Sequence, residues 1–148
     1  MTEKKNSLDE AFKTAVNFHA KGNVTEAKNI FEKILEARPE HFLTISHLGI
    51  ICAQLKKFNE AIKLFDRALK INPNYAEGHN NLGNVLFELS EFEKSLECYK
   101  KAVKLNPNFS DAFSNLGNVY YKKENLNKAI ENYELAISLD SALNKEIP

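Results

Sequence analysis

The sequence predicts an all-α fold built from four helix–turn–helix units, and three observations carry that prediction. Pro39, Pro73 and Pro107 fall 34 residues apart, Gly49, Gly83 and Gly117 keep the same step, and Ala68, Ala102 and Ala136 keep it again. Between these marks the apolar residues recur at helical spacing. Strand-like alternation of useful length is absent. A fixed period of about 20–50 residues marks a repeat architecture, in which no single unit can bury its apolar face alone. The chain has 148 residues and 43% hydrophobic content, enough for one domain with a core.

The units follow one another from the N-terminus. Residues 1–7 read as a tail, with Ser7 and Glu10 as a cap for the first helix. The first unit covers about 8–41 and the second about 42–75, which closes on the phrase KINPN at 70–74. The third covers about 76–109. Its first helix is expected over Ala76–Leu89, where Leu82, Val85, Leu86 and Leu89 form the apolar stripe. Its second is expected over Phe92–Leu105, with apolar Phe92, Leu96, Tyr99, Ala102, Val103 and Leu105. Ser90 and Glu93 have capping-box spacing at its start. The phrase KLNPN at 104–108 ends it, because Pro107 pushes Asn106 out of helical geometry and has no N–H to donate. Asn74 with Glu77, and Asn108 with Asp111, read as caps for the helices that follow. The fourth unit covers about 110–141, Ser141 stands in the proline place, and 142–148 read as a C-terminal tail.

These residues resemble the tetratricopeptide repeat family, whose pattern is a large residue, Leu-Gly, an aromatic, Ala, an aromatic, Ala and Pro. The second unit has Ile45, Leu48-Gly49, Cys52, Ala61, Phe65, Ala68 and Pro73 in these places. The third has His79, Leu82-Gly83, Leu86, Ser95, Tyr99, Ala102 and Pro107. The fourth has Phe113, Leu116-Gly117, Tyr120, Ala129, Tyr133 and Ala136. The first is degenerate, with Ala11, Thr14-Ala15, Phe18, Ala27, Phe31, Ile34 and Pro39. The resemblance implies a right-handed superhelical solenoid with a concave inner face. Each mid-helix glycine costs roughly 0.5–1 kcal/mol against Ala, a cost that close approach of the paired helix offsets. Small Ser95 and Ala102 are expected to make room from the other side, and Tyr99 to fill the gap toward the next unit.

The pentapeptide NLGNV occurs at 81–85 and again at 115–119. Packing accounts for its Leu and Gly but not for its asparagines, which are weak helix formers. Asn81 and Asn84, like Asn80 and Asn84, share a helix face opposite Leu82 and Leu86. The resemblance implies that this face lines the concave groove. A side-chain amide donates and accepts, which suits a peptide backbone of any sequence. Glu77, Asn80, Asn81, Asn84, Asp111, Ser114, Asn115, Asn118 and Tyr121 are therefore the candidate groove residues. Two alternatives stand beside this: solvated polar residues, or rungs that bond to one another between helices. Glu77 and Asp111 also read as caps. Asn81 and Asn115 resemble rungs of the asparagine ladder in the repeat domain of the O-linked N-acetylglucosamine transferase, although His47 and Lys13 hold the matching places upstream. Some members of the family grip a chaperone C-terminal carboxylate with cations. The matching places here hold Phe12, Val16, His47, Ser46, Ile50, Asn81, Asp111 and Asn115, so that subclass is excluded.

Twenty basic and twenty acidic side chains balance, which argues against a nucleic-acid partner. No run is long enough for a membrane span, and the N-terminus lacks a signal-peptide core. Cys52 and Cys98 lack metal-ligand spacing and read as small core residues in a reducing, cytoplasmic setting. His19, His41, His47 and His79 form no metal pattern, no glycine-rich phosphate loop is present, and no nucleophile stands in a catalytic context. No metal, cofactor or catalytic residue is expected. The function expected is a non-enzymatic module that binds a protein or peptide. The second reading is a structural or oligomerisation segment of, or assisting, a larger enzyme such as a glycosyltransferase or sulfotransferase. Leu135, Ile137, Leu139, Leu143 and Ile147 are expected to leave an apolar end capable of weak self-association, unless Leu143 and Ile147 fold back to cover it.

Overall fold

The computed structural model describes residues 2–145, with side chains described over 7–142. Among the described residues eight helices run in order: α1 Thr2–Ala20, α2 Val24–Ala37, α3 Phe42–Gln54, α4 Phe58–Ile71, α5 Ala76–Glu88, α6 Phe92–Leu105, α7 Ser110–Lys122 and α8 Leu126–Lys145. Among the described residues there is no strand. The helices pack as sequential antiparallel pairs, α1 with α2, α3 with α4, α5 with α6 and α7 with α8. The chain divides into two compact units, Met1–Pro73 and Asn74–Pro148.

In the first unit Ala27, Phe31 and Ile34 of α2 repeat at i, i+4 and i+7 and bury against Ala15 of α1 and Leu48 and Ile51 of α3. In the second, Leu96 and Tyr99 of α6 bury against Leu116 and Val119 of α7. Phe92, Val103, Phe113 and Tyr120 pack around that centre. Burying one such side chain contributes roughly 1.5–3 kcal/mol.

Within each pair the turn is the same device. Gly22, Lys56, Ser90 and Glu124, again 34 apart, adopt left-handed φ values of 82°, 58°, 61° and 58°. The N–H at each of these positions donates three residues back, and the next N–H donates five residues back: Ser90 to Phe87 and Glu91 to Leu86, for example, at 2.9 and 2.8 Å. This is the paired closure of a Schellman motif, which satisfies carbonyls left open at the helix end. Ser90 is thereby committed to ending α5. The capping box expected from Ser90 and Glu93 does not form: Glu91 is the N-cap of α6 and makes no side-chain cap bond. Glu93 instead pairs with Lys123. Tyr75 and Phe109, not Asn74 and Asn108, occupy the N-cap positions of α5 and α7.

The proline stops act as expected. Arg38, Asn72 and Asn106, each preceding a proline, leave helical geometry with φ of −140°, −129° and −130°. Where the proline is missing the stop is missing. α8 runs through Ser141 to Lys145, into the segment expected as tail. Likewise α1 starts at Thr2, upstream of the expected cap at Ser7, because no Pro or Gly interrupts residues 2–6. The side chain of Leu143 and all of Ile147 lie outside the described residues.

The glycines let the paired helix come close, as expected, and Tyr99 packs toward α7 as well as over its own pair. An ideal Cβ at Gly83 would lie 2.6 Å from Cε1 of Tyr99, one at Gly117 2.5 Å from Tyr133, and one at Gly49 2.9 Å from Phe65. The ring of Tyr99 thus lies over Gly83 within its own pair. The space is opened by the glycine for an aromatic, so the ring is not free to act only as filler toward the next unit.

Candidate functional site

The asparagine positions lie on α5 and α7, the first helices of the two pairs in the second unit. Gly83 admits the ring of Tyr99, which is 2% exposed, and a phenol buried that far needs a partner for its hydroxyl. Asn84 supplies it: the Tyr99 hydroxyl donates to Asn84 Oδ1 at 2.8 Å. One repeat later the Tyr133 hydroxyl donates to Asn118 Oδ1 at 2.7 Å. Burial pushes both phenols up from their ordinary range, so they stay protonated donors. The sequence contains a signal for this pairing that spacing arguments miss. Val16 faces a repeat whose aromatic is Phe31, and Ile50 one whose aromatic is Phe65, whereas Asn84 and Asn118 occur where the ring is Tyr99 or Tyr133. The amide appears where the hydroxyl does.

A second bond set crosses between the pairs. Asn115 Nδ2 donates to Asn80 Oδ1 at 3.0 Å and to Asn84 Oδ1 at 3.1 Å. Asn80 is only 6% exposed. It supports the surface from beneath, contrary to its expected exposure on the groove, because its position on α5 faces α7. The alternative of rungs bonding between helices is therefore realised for Asn80, Asn84 and Asn115. Asn81 and Ser114 are half-buried, and Asn84 and Asn118 are exposed. Among the described residues the Nδ2 groups of Asn81, Asn84 and Asn118 meet no protein acceptor. Glu77 and Asp111 are exposed in the first turns of α5 and α7, where a carboxylate complements the helix dipole. Tyr121 is exposed near the end of α7, one turn beyond Asn118, and its phenol adds to the upward shift of Tyr133.

His47, which holds the Asn81 place in the repeat of residues 42–75, is not presented as a polar rung. Its ring stacks on Phe31 at 5.4 Å and meets Phe12 edge-on at 5.2 Å, with His19 at 6.5 Å. Its Nδ1 is buried without a partner. Burial, reinforced by His19, pushes the imidazole down from 6.5 to about 4 and keeps it neutral. Among the described residues no cluster of His, Cys, Asp or Glu could hold a metal ion. No helix of the described residues is long and apolar enough to cross a membrane.

The helix pairs, the glycine–aromatic contacts and the proline stops recur at the same 34-residue step, and family models match the chain in that register. A TPR repeat model matches residues 49–90 and 83–124, and tetratricopeptide repeat models match 110–142 and 11–41. The chain belongs to the tetratricopeptide repeat family. Its fold is accordingly an all-helical repeat solenoid. A search of curated proteins by sequence found no match. Among solved structures, a crystal structure of MamA superposes with a TM-score of 0.80 at 22% identity, covering 97% of this chain and 84% of that one. A second crystal structure of MamA gives 0.77 at 21%, covering 99% and 80%. MamA from residue 41 onward from Desulfovibrio magneticus RS-1 gives 0.77 at 23%, covering 94% and 78%. At such identities the likeness is one of fold. The likeness to the O-linked N-acetylglucosamine transferase repeat domain expected from the sequence is not shown by these structures, which are of MamA. Its physical basis also weakens, since the amide of Asn115 is spent on Asn80 and Asn84.

Proposed function

We propose that this tetratricopeptide repeat chain is a non-enzymatic interaction module that holds an extended peptide or protein segment along the α5 and α7 face of its second unit. The family's repeats indicate protein partners. The observation that supports the specific surface is the pinning of Asn84 and Asn118 by tyrosine hydroxyls at 2.8 and 2.7 Å. Each bond occupies the amide oxygen and leaves the amide nitrogen as an oriented donor, one repeat from the next. An amide already held in place loses little rotamer freedom on binding, and preorganisation of that kind raises affinity. Asn81 adds a third amide, with Glu77, Asp111, Ser114 and Tyr121 at the margins. Asn80 and Asn115 brace the surface from within.

The test separates binding from folding. Replacing Asn84 and Asn118 by Ala alone would orphan the buried Tyr99 hydroxyl, remove the partner of the Tyr133 hydroxyl and confuse the two. Asn81→Ala, Asn84→Ala and Asn118→Ala are therefore combined with Tyr99→Phe and Tyr133→Phe, restoring the hydroxyl-free arrangement that Phe65 and Ile50 already use. The variant should keep its helicity. Partners that the wild-type chain captures should bind it more weakly, by about 0.5–1.5 kcal/mol for each hydrogen bond lost. Undiminished capture by the folded variant would leave the asparagines as struts only.

A further inference from the structure

The outer face of α6 has a counterpart on α8. On α6, Phe92, Leu96, Tyr99 and Val103 form a stripe at i, i+4, i+7 and i+11, and α7 covers it with Phe113, Leu116, Val119 and Tyr120. Leu96 is left 8% exposed. Moving one repeat along gives Leu126, Ile130, Tyr133 and Ile137, apolar at every position. Here no described residue supplies the covering helix. Ile130 is 54% and Ile137 66% exposed, and Leu126 is open as well.

The charges beside the stripe distinguish the occupants it fits. Lys100 on α6 becomes Glu134 on α8, and Asp140 borders the far end. Lys128, the one cation in 126–142, lies over the Tyr120 ring of α7, 5.4 Å from its centroid, and so is turned off the stripe. A second α8 laid on this face would set carboxylate against carboxylate, which disfavours a symmetric pair of copies. The outward face of α1 is no better suited, because at the places of Leu116 and Val119 it presents exposed Thr14 and Asn17.

We propose that the α8 face of Leu126, Ile130, Tyr133 and Ile137 docks an amphipathic helix of a partner protein, apolar at the spacing of Phe113, Leu116, Val119 and Tyr120 and flanked by Lys or Arg. The partner helix repeats the packing of α7 on α6, with its cations meeting Glu134 and Asp140. This surface meets the asparagine face through Tyr133 alone, whose ring belongs to the α8 stripe and whose hydroxyl holds Asn118.

The probes are two synthetic peptides of residues 110–124, one carrying Ser110→Lys and Ser114→Lys, the other Ser110→Glu and Ser114→Glu. Fluorescence anisotropy against the full chain should show the basic peptide binding about tenfold or more tighter than the acidic one at low salt, with the gap narrowing as salt rises. Ile130→Asp with Ile137→Asp should abolish binding. Both side chains are already exposed, so circular dichroism should show an unchanged fold. Asn81→Ala should leave peptide binding intact. Equal binding of the two peptides, or binding that survives the double substitution, overturns the proposal. So does a concentration-dependent dimer in light scattering that the double substitution abolishes, since a second copy would then be the occupant.

Discussion

Gly83→Ala is a substitution on which local and tertiary physics give opposite signs. In a helix interior Ala is the better residue by roughly 0.5–1 kcal/mol. The structure opposes that gain. The new methyl would sit 2.6, 2.8 and 3.1 Å from three carbons of the Tyr99 ring. The ring cannot swing aside cheaply, for it is buried and its hydroxyl is held by Asn84 at 2.8 Å. Overpacking of this kind costs about 1–3 kcal/mol, so the net effect is a loss of up to about 2.5 kcal/mol. In a Tyr99→Ala background the obstruction is gone and the sign reverses: Gly83→Ala should then stabilise by roughly 0.5–1 kcal/mol, the helix-propensity term alone. Urea denaturation followed by circular dichroism on the four chains of this cycle measures both values. The contrast between backgrounds is the coupling between the two positions. A midpoint raised by Gly83→Ala in the otherwise wild-type chain would refute the reasoning, because it would mean that Tyr99 does not rest on Gly83.

The left-handed turn positions and the buried imidazole give two further predictions. Lys56, Ser90 and Glu124 hold φ near 60°, a conformation that costs a non-glycine residue about 1–2 kcal/mol. Replacing each with Gly, the residue already at position 22, should therefore raise the unfolding midpoint, by about 0.5–1 kcal/mol per site after glycine's own chain entropy is deducted. His47 is held down to about 4 in the folded chain against 6.5 when unfolded. The unfolded chain binds that proton first, so stability is full above pH 6.5 and declines as the pH falls from 6.5 toward 4. Melting temperatures across that range should drop, and His47→Leu should flatten the drop. An equal decline in the variant would assign it to other groups.

Much of the architecture was legible in the chain before any coordinates, because its causes are local. Helical spacing of apolar residues, a proline that cannot donate, and a period of 34 act within one turn or one repeat. They set the pairs and the stops at Arg38, Asn72 and Asn106, whereas α8 runs on past Ser141 into residues expected as a tail. The turns were less legible. Ser90 and Glu93 have capping-box spacing, yet the backbone needs a left-handed residue at 90 to close α5, and that demand takes precedence.

The asparagines mark where sequence reasoning ends. Spacing grouped them on the helix but did not show that Asn80 is buried, and an amide can donate, accept or simply be solvated. Which of these occurs depends on atoms far away in the chain. Tyr99 lies 15 residues from Asn84, and Asn115 lies 35 from Asn80 and 31 from Asn84. Only the packing of α5 against α6 and α7 brings those groups within hydrogen-bond distance. The same holds for the α8 stripe: the sequence alone made Leu126, Ile130, Tyr133 and Ile137 apolar, and the tertiary structure decided that none of the described helices covers them, because burial is a property of neighbours and not of residues.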